Sequence, residues 1–83
     1  MTLHGKLCSP IREMLDGDEY GSVIFHTRDY KQSSNTRISI LNLRKRCGYK
    51  YKTKLLDENR IAVVRPGGEG MPELEIDIRE EWE

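Results

Sequence analysis

The residues best suited to chemistry in this chain are cations, and they are concentrated. Of the 14 Lys and Arg residues, 11 fall between 28 and 65, against only Asp29, Asp57 and Glu58, so this stretch carries +8. Residues 1–27 carry −2 and residues 66–83 carry −6, and the net charge of zero hides the segregation. Within the basic stretch Arg37, Arg44, Lys45, Arg46, Lys50, Lys52 and Lys54 stand close together, with Tyr49 and Tyr51 among them. That combination suits phosphate contact with a ring available for stacking. Phosphate contacts supply affinity without sequence information and make binding fall with salt. The same cations also fit two other readings: a solvated helix face with lysines guarding an edge strand against aggregation, or a surface for an anionic protein.

Other chemistries find less support. The soft metal ligands are His4, Cys8, His26 and Cys47. Their spacing matches no zinc pattern, in which ligands come in pairs two to four residues apart. No CxxC pair occurs, so two free, buried thiols are expected rather than a disulfide. His26, Arg28, Tyr30 and Ser33 lie close in sequence, but no nucleophile elbow or paired-acid motif accompanies them. Gly67-Gly68 follows a strand and precedes no helix, which excludes a phosphate-cradling loop. The expectation is a protein that is not an enzyme and has no cofactor and no metal.

The elements that position the cations are legible from periodicity. A chain of 83 residues allows one small domain. Ser9-Pro10 reads as a helix start, with the helix over about 10–15 and Ile11, Met14 and Leu15 on one face. Gly21 to Thr27 reads as a strand with Val23 and Phe25 on one side and Ile24 and His26 on the other. Ser33-Ser34-Asn35-Thr36 offers caps for a main helix over about 34–47. Its core face is Thr36, Ile40, Leu43 and Cys47, with Ile38 and Leu41 on a second stripe and Gly48 as the C-cap. Lys50 to Leu55 alternates with period two, Asp57-Glu58-Asn59 is turn chemistry, and Arg60 to Arg65 returns as a second strand. Pro66 to Pro72 is a Gly/Pro-rich break. Beyond it Leu74, Ile76 and Ile78 alternate with Glu75, Asp77 and Arg79, which is strand periodicity.

The order short helix, Gly-rich turn, strand, basic helix, Lys-rich strand, strand resembles a group of very small phage and mobile-element proteins, mostly of unknown function. The matching pieces are Pro10 to Leu15, Gly17 to Phe25, Ser33 to Gly48, Tyr49 to Lys54 and Arg60 to Arg65. The group usually closes on an aromatic in its last strand, where this chain has Ala62-Val63-Val64, and its pattern has no acidic tail. The resemblance implies a β-α-β-β unit and a phage or bacterial origin, and little about activity.

The expected fold is α+β. A small antiparallel sheet of strands near 22–27, 50–56 and 60–65 packs on the helix near 34–47, with a fourth strand available from the C-terminal tail. Residues 1–65 form the domain, 66–72 a linker and 73–83 an acidic strand or tail. The expected core is Ile11, Leu15, Val23, Phe25, Ile40, Leu43, Tyr51, Leu55, Ile61 and Val63. The expected function is DNA or RNA binding by a phage-type accessory protein through the seven cations, with the acidic tail folding back to modulate it. The alternative is a modulator or inhibitor of a host protein, or a homodimer, acting through Leu74, Ile76, Ile78 and Trp82 by strand addition. No apolar run reaches the ~18 residues of a membrane helix, so the expected location is the cytoplasm, that of the host if phage-encoded, with no membrane partner.

Overall fold

The computed structural model describes residues 3–17 and 19–80, and Trp82 lies outside them. The elements run α1 (Leu3–Asp16), β1 (Ser22–His26), α2 (Tyr30–Cys47), β2 (Lys52–Asp57), β3 (Arg60–Val64) and β4 (Glu73–Asp77). The fold is α+β, and the four strands form one sheet in the order β2-β3-β1-β4. β1 pairs antiparallel with β3, and β3 with β2, as expected for a hairpin packed on a central strand. β4 pairs parallel with β1, so the sheet is mixed rather than wholly antiparallel.

Registers fix the faces. Val23 lies opposite Val63, and Phe25 opposite Ile61. All four side chains are buried in one cluster with Leu7, Ile11 and Met14 of α1 and Ile40 and Leu43 of α2. Both helices therefore cover the same face of the sheet. Ile24 and Ala62 sit at the centre of the other face, flanked in register by Lys54 on one side and Glu75 on the other. The tail strand belongs to this core. Leu74 and Ile76 are half-buried against it and Ile78 is 0% exposed.

The path from β3 to β4 explains why the strand order could not be read locally. Residues 65–72 cross the N-terminal end of β1, where Arg65 N donates to Gly21 O (3.1 Å) and Gly21 N donates to Pro72 O (2.9 Å). A Cβ on Gly21 or on Gly68 would overlap the other residue's carbonyl oxygen. The Gly/Pro-rich segment is thus a fitted crossing, and its glycines permit a close backbone approach.

Both helices begin earlier than their cap signals suggest. α1 runs through Pro10 instead of starting there. Leu7, Ile11 and Met14 recur at four- and three-residue spacing and all are buried, so burial of this stripe outweighs the hydrogen bond that proline removes. Arg65 satisfies carbonyls at the far end, its Nη1 donating to Met14 O (2.9 Å) and Gly17 O (2.6 Å). α2 is capped by Asp29, whose side chain accepts from Gln32 N (2.9 Å). Asp29-Tyr30-Lys31-Gln32 is a capping-box pattern, and Gln32 also reaches back to accept from Arg28 N. Ser33 and Thr36, read as caps, are instead buried within the helix.

Leu15 packs half-buried against the core at the end of α1. Two residues expected on core faces are exposed instead, Cys47 at the end of α2 and Leu55 on β2. Leu55 faces the helical side but is 41% exposed, because β2 is the outermost strand.

Candidate nucleic-acid interface

The seven predicted cations gather round the β2 edge of the sheet, but not on one plane. Thr53 and Leu55 take the helical face opposite Val63 and Ile61, so Lys52 and Lys54 project from the opposite face. Lys50 stands in the connection just before β2, and it is exposed, as are Lys52 and Lys54. Arg37 and Arg44 lie two helical turns apart on the side of α2 that meets β2. Arg37 lines a groove with Tyr30, Ser34, Ile38, Leu41 and Leu55. Arg46 faces away from that side, beside Ser39, Asn42 and Leu43, and Lys45 is exposed on the helix between them. Arg37, Arg44, Lys50, Lys52 and Lys54 thus wrap the edge from both faces, and Arg46 is left behind.

The cleft at the start of β2 brings the most together. It holds about 370 Å³ and is lined by Arg44, Tyr49, Lys50, Tyr51, Lys52 and Pro66. Arg44 Nη1 donates to Tyr51 O (3.1 Å), which pins the guanidinium at the cleft wall. Tyr51 is 3% exposed and its hydroxyl donates to Ile40 O (2.6 Å). Burial of this phenol pushes its pKa up to about 12. Tyr51 is therefore wall rather than ligand. Tyr49 is half-buried, and the two ring centroids stand 6.4 Å apart with planes tilted by 44°. Of the two rings expected for stacking, Tyr49 is the one the cleft presents. Pro66, which sequence reasoning missed, closes the cleft. Its signal was its place just after the strand that pairs with β2.

Charge is laid out across the sheet in a gradient. Among the described residues the ion pairs are Arg28 with Asp29, Arg60 with Asp57 and Arg79 with Asp77, the His26 ring contacts the Glu75 carboxylate, and none of the seven cations takes part. Glu73, Glu75 and Asp77 share the face of Lys52 and Lys54 but stand on β4, three strand positions away. At about 4.8 Å per strand that is roughly 14 Å, beyond the ~8 Å Debye length of physiological salt. The carboxylates of β4 do not fold back on the basic edge as the tail reading expected. They mark the opposite edge, and Glu80, next in the chain, is exposed. Arg79 binds both oxygens of Asp77 and holds its pKa down to about 2.

The residues expected as a partner strand are placed differently. Leu74, Ile76 and Ile78 turn their side chains into the domain's own core. What β4 offers outward is its backbone edge and its carboxylates.

The remaining candidates separate in space. Ser33 is buried, donates to Glu58 O (2.8 Å) and shares a hydrogen bond with the Thr27 hydroxyl. His26 lies on the open face of the sheet, with Nε2 2.8 Å from Glu75 Oε1. Tyr30 is exposed at the start of α2. These side chains do not converge on one point. Cys8 is half-buried and Cys47 exposed, both free; the side chain of His4 lies outside the described residues. Among the described residues no group of three or more His, Cys, Asp or Glu is arranged to hold a metal ion, and no helix is long and apolar enough to cross a membrane.

Comparison with known proteins yields no relative: no family model matches the chain, and neither a curated protein nor a solved structure matches it.

Proposed function

We propose that this protein binds nucleic acid along its β2 edge, as a small accessory protein of phage type, and that it is not an enzyme. One observation carries the reading: five cations, Arg37, Arg44, Lys50, Lys52 and Lys54, surround one sheet edge with no acidic partner among the described residues, while the carboxylates of β4 occupy the opposite edge. A protein that needed only a soluble surface gains from interspersed charges. Segregation keeps a positive potential at one edge, which concentrates a polyanion there and steers its approach. The flexible lysines suit phosphates as point charges.

The test is a fluorescence-anisotropy titration of labelled DNA and RNA oligonucleotides with wild type, Arg44→Ala and Lys52→Ala. Each variant should weaken binding similarly across sequences and reduce the salt slope by about one phosphate's share, with the circular-dichroism spectrum unchanged. Wild-type affinity in both variants rules this edge out as the site.

A second reading is favoured by the outer edge of β4, beside which no further strand lies among the described residues. A host protein, or a second copy, would add a strand there by backbone hydrogen bonds. Glu73, Glu75 and Asp77 would steer a basic partner. Glu73→Lys with Glu75→Lys should then abolish the complex while the domain stays folded.

A further inference from the structure

We infer that the cleft beside β2 takes a single-stranded chain, with one unpaired base stacked on Tyr49 and the flanking phosphates held by Arg44, Lys50 and Lys52. The inference rests on the nucleic-acid reading above and narrows it to a ligand class. A surface that bound only duplex phosphates would need cations alone. This one sets a tyrosine ring among three cations in an open cleft of about 370 Å³.

The two rings of the cleft have different tasks. Tyr51 is fixed by its hydroxyl bond to Ile40 O and by Arg44 at its carbonyl. It does not lie parallel to Tyr49, so the pair is not stacked face to face. Tyr51 acts as a rigid wall that positions Tyr49, and Pro66 supplies a second apolar surface. In a duplex both faces of each internal base are covered by its neighbours. Only a strand with an unstacked base can present that face to a protein ring, and such stacking tolerates any base. Arg44 is held at the wall, while Lys50 and Lys52 are exposed on flexible stems at the rim. Phosphates on either side of the stacked base would therefore meet cations without the chain having to bend sharply.

The experiment compares a labelled twelve-residue oligothymidine with a labelled twelve-pair duplex at one low salt concentration, using wild type, Tyr49→Ala, Tyr49→Phe and Lys52→Ala. The single strand should bind more tightly than the duplex. Tyr49→Ala should lose about 5- to 150-fold in single-strand affinity, the range for one stacked base, with duplex affinity unchanged. Tyr49→Phe keeps the ring and should bind as wild type, which separates stacking from a folding defect. Lys52→Ala should weaken both probes. Equal binding of both probes, or an unchanged single-strand affinity in Tyr49→Ala, overturns this inference and leaves the nucleic-acid reading standing. Absence of binding to either probe overturns both.

Discussion

Replacing Ile78 by alanine should remove a large share of this protein's stability, although the residue lies just beyond the last strand. Ile78 is 0% exposed. It is also anchored by its backbone: its N–H donates to His26 O (3.0 Å), and its carbonyl accepts from Gln32 Nε2 (2.7 Å). The substitution deletes three buried carbons at about 0.8 kcal/mol each, or about 2.4 kcal/mol of transfer free energy. A cavity term adds to this and places the total in the 2–5 kcal/mol range measured for such changes. At roughly 0.05–0.15 kcal/mol per residue a chain of this length has about 4–12 kcal/mol in all. The loss is thus a large share. Thermal unfolding followed by circular dichroism should show a midpoint at least 10 °C lower, since about 1 kcal/mol moves a domain of this size by 4–8 °C. Glu73→Ala, exposed at the start of β4, which Ile78 directly follows, should stay within about 0.5 kcal/mol of wild type. An Ile78→Ala midpoint equal to that of Glu73→Ala would refute the placement of β4 in the core, because a loose tail would give that result.

Two further predictions test separate parts of the fold. The Tyr51 pKa is raised by burial to about 12, so the neutral phenol contributes its full stability below pH 10 and loses it as pH rises from about 10 to 12. The wild-type unfolding free energy from urea titrations should therefore fall more steeply over that window than that of Tyr51→Phe, by up to roughly 2–3 kcal/mol at its end; parallel curves would contradict it. Gly21→Ala should destabilise far more than Gly48→Ala in urea unfolding. The first forces a Cβ into the Gly68 backbone, whereas the second meets open space and carries only the strain of φ +69°, about 1–2 kcal/mol. The reverse order would refute the β3–β4 crossing.

How much of this was legible follows from which interactions are local. The strands β2 and β4 declare themselves by alternation, and Asp57-Glu58-Asn59 turns the hairpin as its residue types require, which returns the apolar run of β3 as its second strand. The inward stripe of α2 through Thr36, Ile40 and Leu43 is also plain in the sequence. The start of α2 was legible in principle, because Asp29 and Gln32 stand at capping-box spacing, yet the run of Ser33 to Thr36 competes with it. That run is buried for a tertiary reason: Ser33 ties the helix to the hairpin turn at Glu58 O. Thr36 is buried on the inward stripe beside Ile40, where its methyl group packs as an apolar residue would. The strand order depends on a contact between Gly21 and Gly68, 47 positions apart in sequence, which no local pattern encodes. Of the candidate site, the cations could be named from composition. Their arrangement round an edge, with Tyr49 presented and Tyr51 withdrawn, needed the register of β2.

The most direct test of the central claim is the slope of binding against salt for wild-type protein and labelled single strands. If Arg37, Arg44, Lys50, Lys52 and Lys54 each meet a phosphate, log Kobs should fall against log salt with a slope near −3.5, from about −0.7 per phosphate. Lys52→Ala with Lys54→Ala should bring that slope to about −2.1, and Glu73→Lys with Glu75→Lys on the far edge should leave the β2 contacts in place. A slope near zero, or no binding at low salt, would contradict the account.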